Sequence, residues 1–91
     1  MAIMDPRDEL YTLRARIDQI DDALVSLFAQ RMGLSEQIGI IKREAGMPVL
    51  DAARERRVIE RAASQAPPSL RGGVASLMRT IMALSRERQE V

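Results

Sequence analysis

Arg31 stands where an apolar residue is due. Apolar side chains recur three and four apart at Leu10, Leu13, Ile17, Ile20, Leu24 and Leu27 and resume at Leu34, Ile38 and Ile41, and the same spacing falls on position 31. An arginine on such a seam is costly unless it is paired. Lys42 follows 11 positions later, about 1,100° of helical rotation, which returns it to within about 20° of the same face and roughly 16 Å along the axis. Ser35 and Ile38 lie between the two cations. Further along, the stripe Leu77, Met78 and Ile81 turns polar at Ser85 and Gln89, and Asp51, Arg54 and Glu55 crowd the start of another segment. Polar groups from three segments therefore occupy places where a core belongs, and the set is rich in cations and neutral donors. A buried site of that kind suits a small, multiply charged anion.

Each residue alone has a plainer reading. Arg31 could be a register-fixing polar residue of a coiled coil, Ser85 a solvated or back-bonding serine, Gln89 an exposed helix end, and the Asp51 to Glu55 cluster a solvated first turn. Arg14 is an exposed arginine beside Asp18 on one reading. On the other it serves the anion site, but it lies 17 residues before Arg31, about 25 Å along one helix. Both could then meet one small ligand only if Arg14 came from a second chain. The coincidence of the polar groups, not any one of them, argues for a site.

Composition narrows the chemistry. Among 91 residues there is no cysteine and no histidine, which removes disulfides, thiolate zinc sites, cysteine nucleophiles and the usual general base near neutral pH. No metal and no cofactor is expected. A formal net charge of +1 with mixed signs along the chain leaves no electrostatic footprint for nucleic acid. Met1 to Asp8 shows no signal-peptide pattern and no stretch is apolar enough to span a membrane, so a cytoplasmic protein is the expectation.

Three helices must position these groups, giving an all-α fold and a single domain over 1–91. The first runs from about Asp8 to Ala45, tolerating Gly33 and Gly39 at roughly 1 kcal/mol each, and stops at Gly46 and Pro48. The second is capped by Asp51 and runs from Ala52 to about Gln65, with Val58, Ile59, Ala62 and Ala63 as its apolar face. Ala66-Pro67-Pro68-Ser69 ends it. The third is capped by Ser69 or begins a little later, where Gly72-Gly73 weakens the first turn, and its face is Val74, Leu77, Met78, Ile81 and Met82. No strand pattern and no internal repeat competes.

A helix of about 36 residues is about 54 Å long, whereas a compact chain of this size has a diameter of roughly 30 Å. Two short helices cannot cover the stripe from Leu10 to Ile41, and an exposed apolar stripe of that size marks an association surface. An intertwined homodimer is the expectation.

The ordered motifs Leu13-Arg14, Ile17-Asp18-Gln19-Ile20-Asp21, Gln30-Arg31, Gly39-Ile40-Ile41-Lys42, Pro48-Val49-Leu50-Asp51, Arg54-Glu55-Arg56 and Ser85 four residues before Gln89 closely resemble the all-helical class of chorismate mutases. The resemblance covers about Leu10 to Gln89. It implies a domain-swapped, intertwined dimer of three-helix chains (one long helix, two shorter) with two shared active sites, and conversion of chorismate to prephenate on the route to phenylalanine and tyrosine. It further implies that Arg31 and the partner chain's Arg14 hold the two substrate carboxylates. Lys42 and Gln89 donate to the ether oxygen, with Lys42 also near a carboxylate. Glu55 holds the ring hydroxyl, Ser85 and Asp51 line the ring side, and Arg54 supports a carboxylate directly or through water. A concerted [3,3] shift needs no nucleophile, metal or proton transfer, in keeping with a chain lacking His and Cys. Two alternatives share much of the pattern: an isochorismate pyruvate-lyase on the same fold, which the Asp51, Arg54, Glu55, Ser85 and Gln89 set fits less well, and a non-catalytic helical dimerisation module.

Overall fold

The computed structural model describes residues 5–91, so the first half of the Met1 to Asp8 segment lies outside it. Among the described residues the regular structure is helical: α1 spans Pro6–Ala45, α2 spans Ala52–Gln65, a 3-10 turn covers Pro68–Leu70, and α3 spans Arg71–Gln89.

Helix α1 starts two residues before the expected Asp8, because Asp5 caps it. The Asp5 carboxylate accepts from the Arg7 amide at 2.8 Å, its carbonyl accepts from the Glu9 amide at 3.0 Å, and Pro6 takes the first helical position, where no amide proton is needed. The helix ends as its glycine requires. Gly46 adopts φ +67, its amide donates to the Arg43 carbonyl at 3.3 Å, and the Met47 amide donates to the Lys42 carbonyl at 2.7 Å, the paired bonds of a Schellman motif.

The chain forms two compact units, one up to Arg31 and one over Met32–Val91. In the first, the seam residues Leu10, Leu13, Ile17, Ile20, Leu24 and Leu27 are all between 49% and 61% exposed.

In the second unit the buried residues are Met32, Ser35 and Gly39 of α1 and Met82 and Ser85 of α3. These follow three-four spacings that end at Lys42 on α1 and Gln89 on α3. The buried stripe is not the apolar seam: Leu34, Ile38 and Ile41 remain 46% to 61% exposed. Ile38, expected inward beside Ser35, belongs to the exposed face. Small side chains on the buried stripe allow α3 to approach, whereas the branched residues would hold it off.

Helix α2 packs on α3 through half-buried Val58, Ile59, Ala62 and Ala63, the face its sequence indicates. It is capped as expected by Asp51, whose carboxylate accepts from the Arg54 amide at 3.0 Å. It stops at Ala66, before two prolines. Ser69 is not the cap of α3. It lies inside the 3-10 turn, closed by the Leu70 amide donating to the Pro67 carbonyl at 2.8 Å, and α3 begins at Arg71 without a side-chain cap. Leu77 also departs from the expected face and is 54% exposed, since it lies about 100° round the helix from Met78.

Candidate active site

Lys42 sits in the last turn of α1 and is half-buried. Its ammonium donates to the Val49 carbonyl and to Gln89 Oε1, each at 2.7 Å. One bond ties the only lysine of the chain to the segment entering α2 and the other ties it to the last residue of α3. An ammonium with two such partners keeps a third proton for another acceptor. The Gln89 amide nitrogen points toward Ser85 Oγ at 3.5 Å, the outer limit of a hydrogen bond. Amide protons at Gln89 therefore remain available to an incoming oxygen.

Gln89 is held rather than frayed. The Glu90 amide donates to the Arg86 and Glu87 carbonyls at 3.2 Å, and Arg43 Nη2 donates to the Val91 carbonyl at 2.9 Å. Glu36 of α1 pairs with Arg88 of α3 one residue before it. Ser85, one turn back, is buried and shares a 2.6 Å hydrogen bond with Ser35 Oγ. This buried hydroxyl pair leaves neither serine unsatisfied and fixes the two helices against each other.

Asp51 and Arg54 are both exposed at the start of α2, joined by the capping bond through the Arg54 main-chain amide. Glu55, one residue on, is half-buried and forms an ion pair with Arg86 of α3. The second unit thus brings Lys42, Ser85 and Gln89 into one hydrogen-bonded group and places Asp51, Arg54 and Glu55 together on the first turn of α2. Arg14 and Arg31 belong to the first unit. Arg14 is exposed and lines a shallow depression with Arg7, Tyr11, Ala15 and Asp18, and Arg31 is half-buried. No group of acidic side chains among the described residues is placed to hold a metal ion.

Three contributors are absent from the sequence reading. The Val49 carbonyl aims Lys42, Gly39 admits the end of α3, and Arg86 holds Glu55. The periodicity of α3 carried a hint of the last, since Arg86 follows the inward Ser85 by one residue and so turns toward a different neighbour. Only the packing of α2 on α3 identifies that neighbour as Glu55.

Comparison with known proteins decides the family. The pattern of the family described as chorismate mutase type II matches residues 13–90. The chain belongs to the chorismate mutase type II family. Among its relatives is a chorismate mutase of Methanocaldococcus jannaschii, 33% identical over 54 residues, which are 59% of this chain and 54% of that protein. A bifunctional chorismate mutase/prephenate dehydratase of Aquifex aeolicus is 39% identical over 54 residues, 59% of this chain but 15% of the relative. The aligned segments thus span about half of the first relative and a small part of the second. A solved structure described as a conserved hypothetical protein from Pyrococcus furiosus superposes with a TM-score of 0.76 at 32% identity, covering 89% of this chain and 95% of that one. Membership of the chorismate mutase type II family agrees with the all-helical architecture, and the Lys42–Gln89 pair lies inside the matched residues.

Proposed function

We propose that this chain is a chorismate mutase, an isomerase that converts chorismate to prephenate in phenylalanine and tyrosine biosynthesis. The observation that carries this reading is the Lys42–Gln89 pair, a cationic donor and a neutral donor joined side by side and partly buried. In the [3,3] rearrangement the ether carbon–oxygen bond breaks as a carbon–carbon bond forms at the other end of the six-atom array. No group is transferred and no proton moves. What the protein supplies is geometry and charge. Lys42 and Gln89 donate to the ether oxygen as negative charge gathers on it, and removing one such donor typically lowers the rate about 100-fold to 1,000-fold.

Arg31 and Arg14 of the partner subunit clamp the two carboxylates, restricting the enolpyruvyl arm to the reactive chair-like conformer. Arg54 supports a carboxylate, directly or through water. Glu55 accepts from the ring hydroxyl, and Asp51 and Ser85 line the ring side. The working unit is a cytoplasmic, domain-swapped homodimer. The apolar row from Leu10 to Leu27, left about half exposed by its own chain, supports that assembly, since burying it against a second copy removes a surface a monomer cannot cover.

The test is ultraviolet detection of chorismate consumption in the presence of a chelator, followed by identification of the product. Prephenate formed at an undiminished rate supports the reading. No turnover of chorismate, or release of pyruvate from isochorismate offered in parallel without prephenate from chorismate, rejects it.

A further inference from the structure

The Glu55–Arg86 ion pair adds to the half-buried apolar face by which α2 packs on α3. Glu55 retains 20% and Arg86 35% of side-chain exposure. A carboxylate withdrawn that far from water needs a partner. A glutamate also has several rotatable bonds, and fixing such a side chain costs rotamer freedom. Arg86 meets both needs from the neighbouring helix. Its Nη1 donates to Glu55 Oε1, which leaves Oε2 to accept from something else. Ser85, adjacent to Arg86 in sequence, and Gln89, three residues on, belong to the Lys42 group, so the carboxylate is anchored from the helix that carries one of the two donors.

We propose that Arg86 is a positioning residue that presents one oxygen of Glu55 to a hydroxyl on the substrate ring and so sets the selectivity for a hydroxylated substrate. The inference rests on the chorismate mutase reading above and adds to it a determinant of substrate choice. Arg86 does not touch the reacting atoms. It acts through Glu55, and its removal leaves a partly buried carboxylate that turns out to water and abandons the hydroxyl.

The experiment compares kcat/KM for chorismate with that for the analogue in which hydrogen replaces the ring hydroxyl, with helicity and dimer mass checked for every variant. Arg86→Gln is expected to lower the chorismate value about tenfold, the scale of one charge-assisted hydrogen bond, and to change the analogue value less than about twofold. Arg86→Lys should recover most of the loss. In a Glu55→Gln background, Arg86→Gln should add nothing further. Equal losses on both substrates, or none on chorismate, overturn the proposal while leaving the mutase reading intact. A wild-type protein that converts neither compound overturns the mutase reading, and this inference with it.

Discussion

Gln89 lies against Gly39 with no room for a side chain between them. A Cβ placed on Gly39 would come 2.6 Å from the Gln89 Cα, and what it meets is main chain, not the movable end of a side chain. Relief requires the end of α3 to move away from α1. The distance between Lys42 and Gln89 depends on that same approach, because Lys42 stands three residues past Gly39 on the same stripe. The glycine therefore sets the spacing of the two donors.

Gly39→Ala should accordingly separate Lys42 from Gln89. Overpacking of this kind typically destabilises by about 1–3 kcal/mol, and a misplacement near 1 Å can lower turnover about 100-fold. Steady-state kinetics with circular dichroism on the same sample checks this. A folded Gly39→Ala protein with wild-type kcat would show that the contact does not govern the donors. Gly73→Ala is the contrast. A Cβ there meets nothing within 4 Å, so in the first turn of α3 the change should stabilise by up to about 1 kcal/mol. That corresponds to roughly 4–8 °C in Tm, read at fixed protein concentration.

Much of this arrangement is legible in the sequence because it depends on local rules. Asp51 caps α2 and Gly46 stops α1 for reasons contained in a few neighbouring residues, and the half-buried face of α2 follows from its spacing. Lys42 and Gln89 are visible as polar intrusions at core spacing. What is not legible depends on which helix lies beside which. Gly39 reads as a tolerated weakness until α3 is known to cross there. The row Met32, Ser35 and Gly39 is nearly invisible beside the stronger apolar row Leu34, Ile38 and Ile41, yet the weaker row is the one α3 covers. Arg86 is one of many arginines, and only tertiary packing selects Glu55 as its partner.

The exposed row from Leu10 to Leu27 predicts a dimer in solution. Light scattering on the purified protein should give twice the chain mass down to low concentration. An Ile17→Glu, Leu24→Glu variant should lose the dimer, because it places charges in the middle of the proposed interface. A well-folded, active wild-type monomer would refute the assembly.

The proposed clamp, in which Arg14 and Arg31 act on one ligand from different chains, predicts shared sites. Arg14→Ala and Arg31→Ala proteins should each be nearly inactive. Mixed under conditions that exchange subunits, they should regain activity, since one of the two sites in a heterodimer then carries both wild-type arginines. Full recovery of exchange gives about half of the molecules as heterodimers with one intact site each, so about one quarter of the wild-type site concentration is expected. Proven exchange without recovery would place both arginines on the same chain's site.

Gln89 offers a test by pH. Its amide donates at any ordinary pH, whereas a glutamate at that position donates only when protonated. Lys42 already donates to Oε1 of Gln89 at 2.7 Å, so an ionised glutamate there would form an ion pair with the ammonium and draw it from the substrate. Gln89→Glu should therefore lose both donors near neutral pH. As the solution is acidified through the titration of the new carboxyl, the protonated form regains a hydrogen to give and releases Lys42, so activity should rise toward acid. The wild type carries no such group at this position and should not rise with it while it stays folded. The measurement is kcat for both proteins from about pH 8 down to about pH 3.5, reaching below the ordinary glutamate value of about 4.3 because the Lys42 ammonium favours the ionised form. Parallel profiles would mean that Gln89 does not meet the charge developing on the ether oxygen, and that its contact with Lys42 only fastens the end of α3.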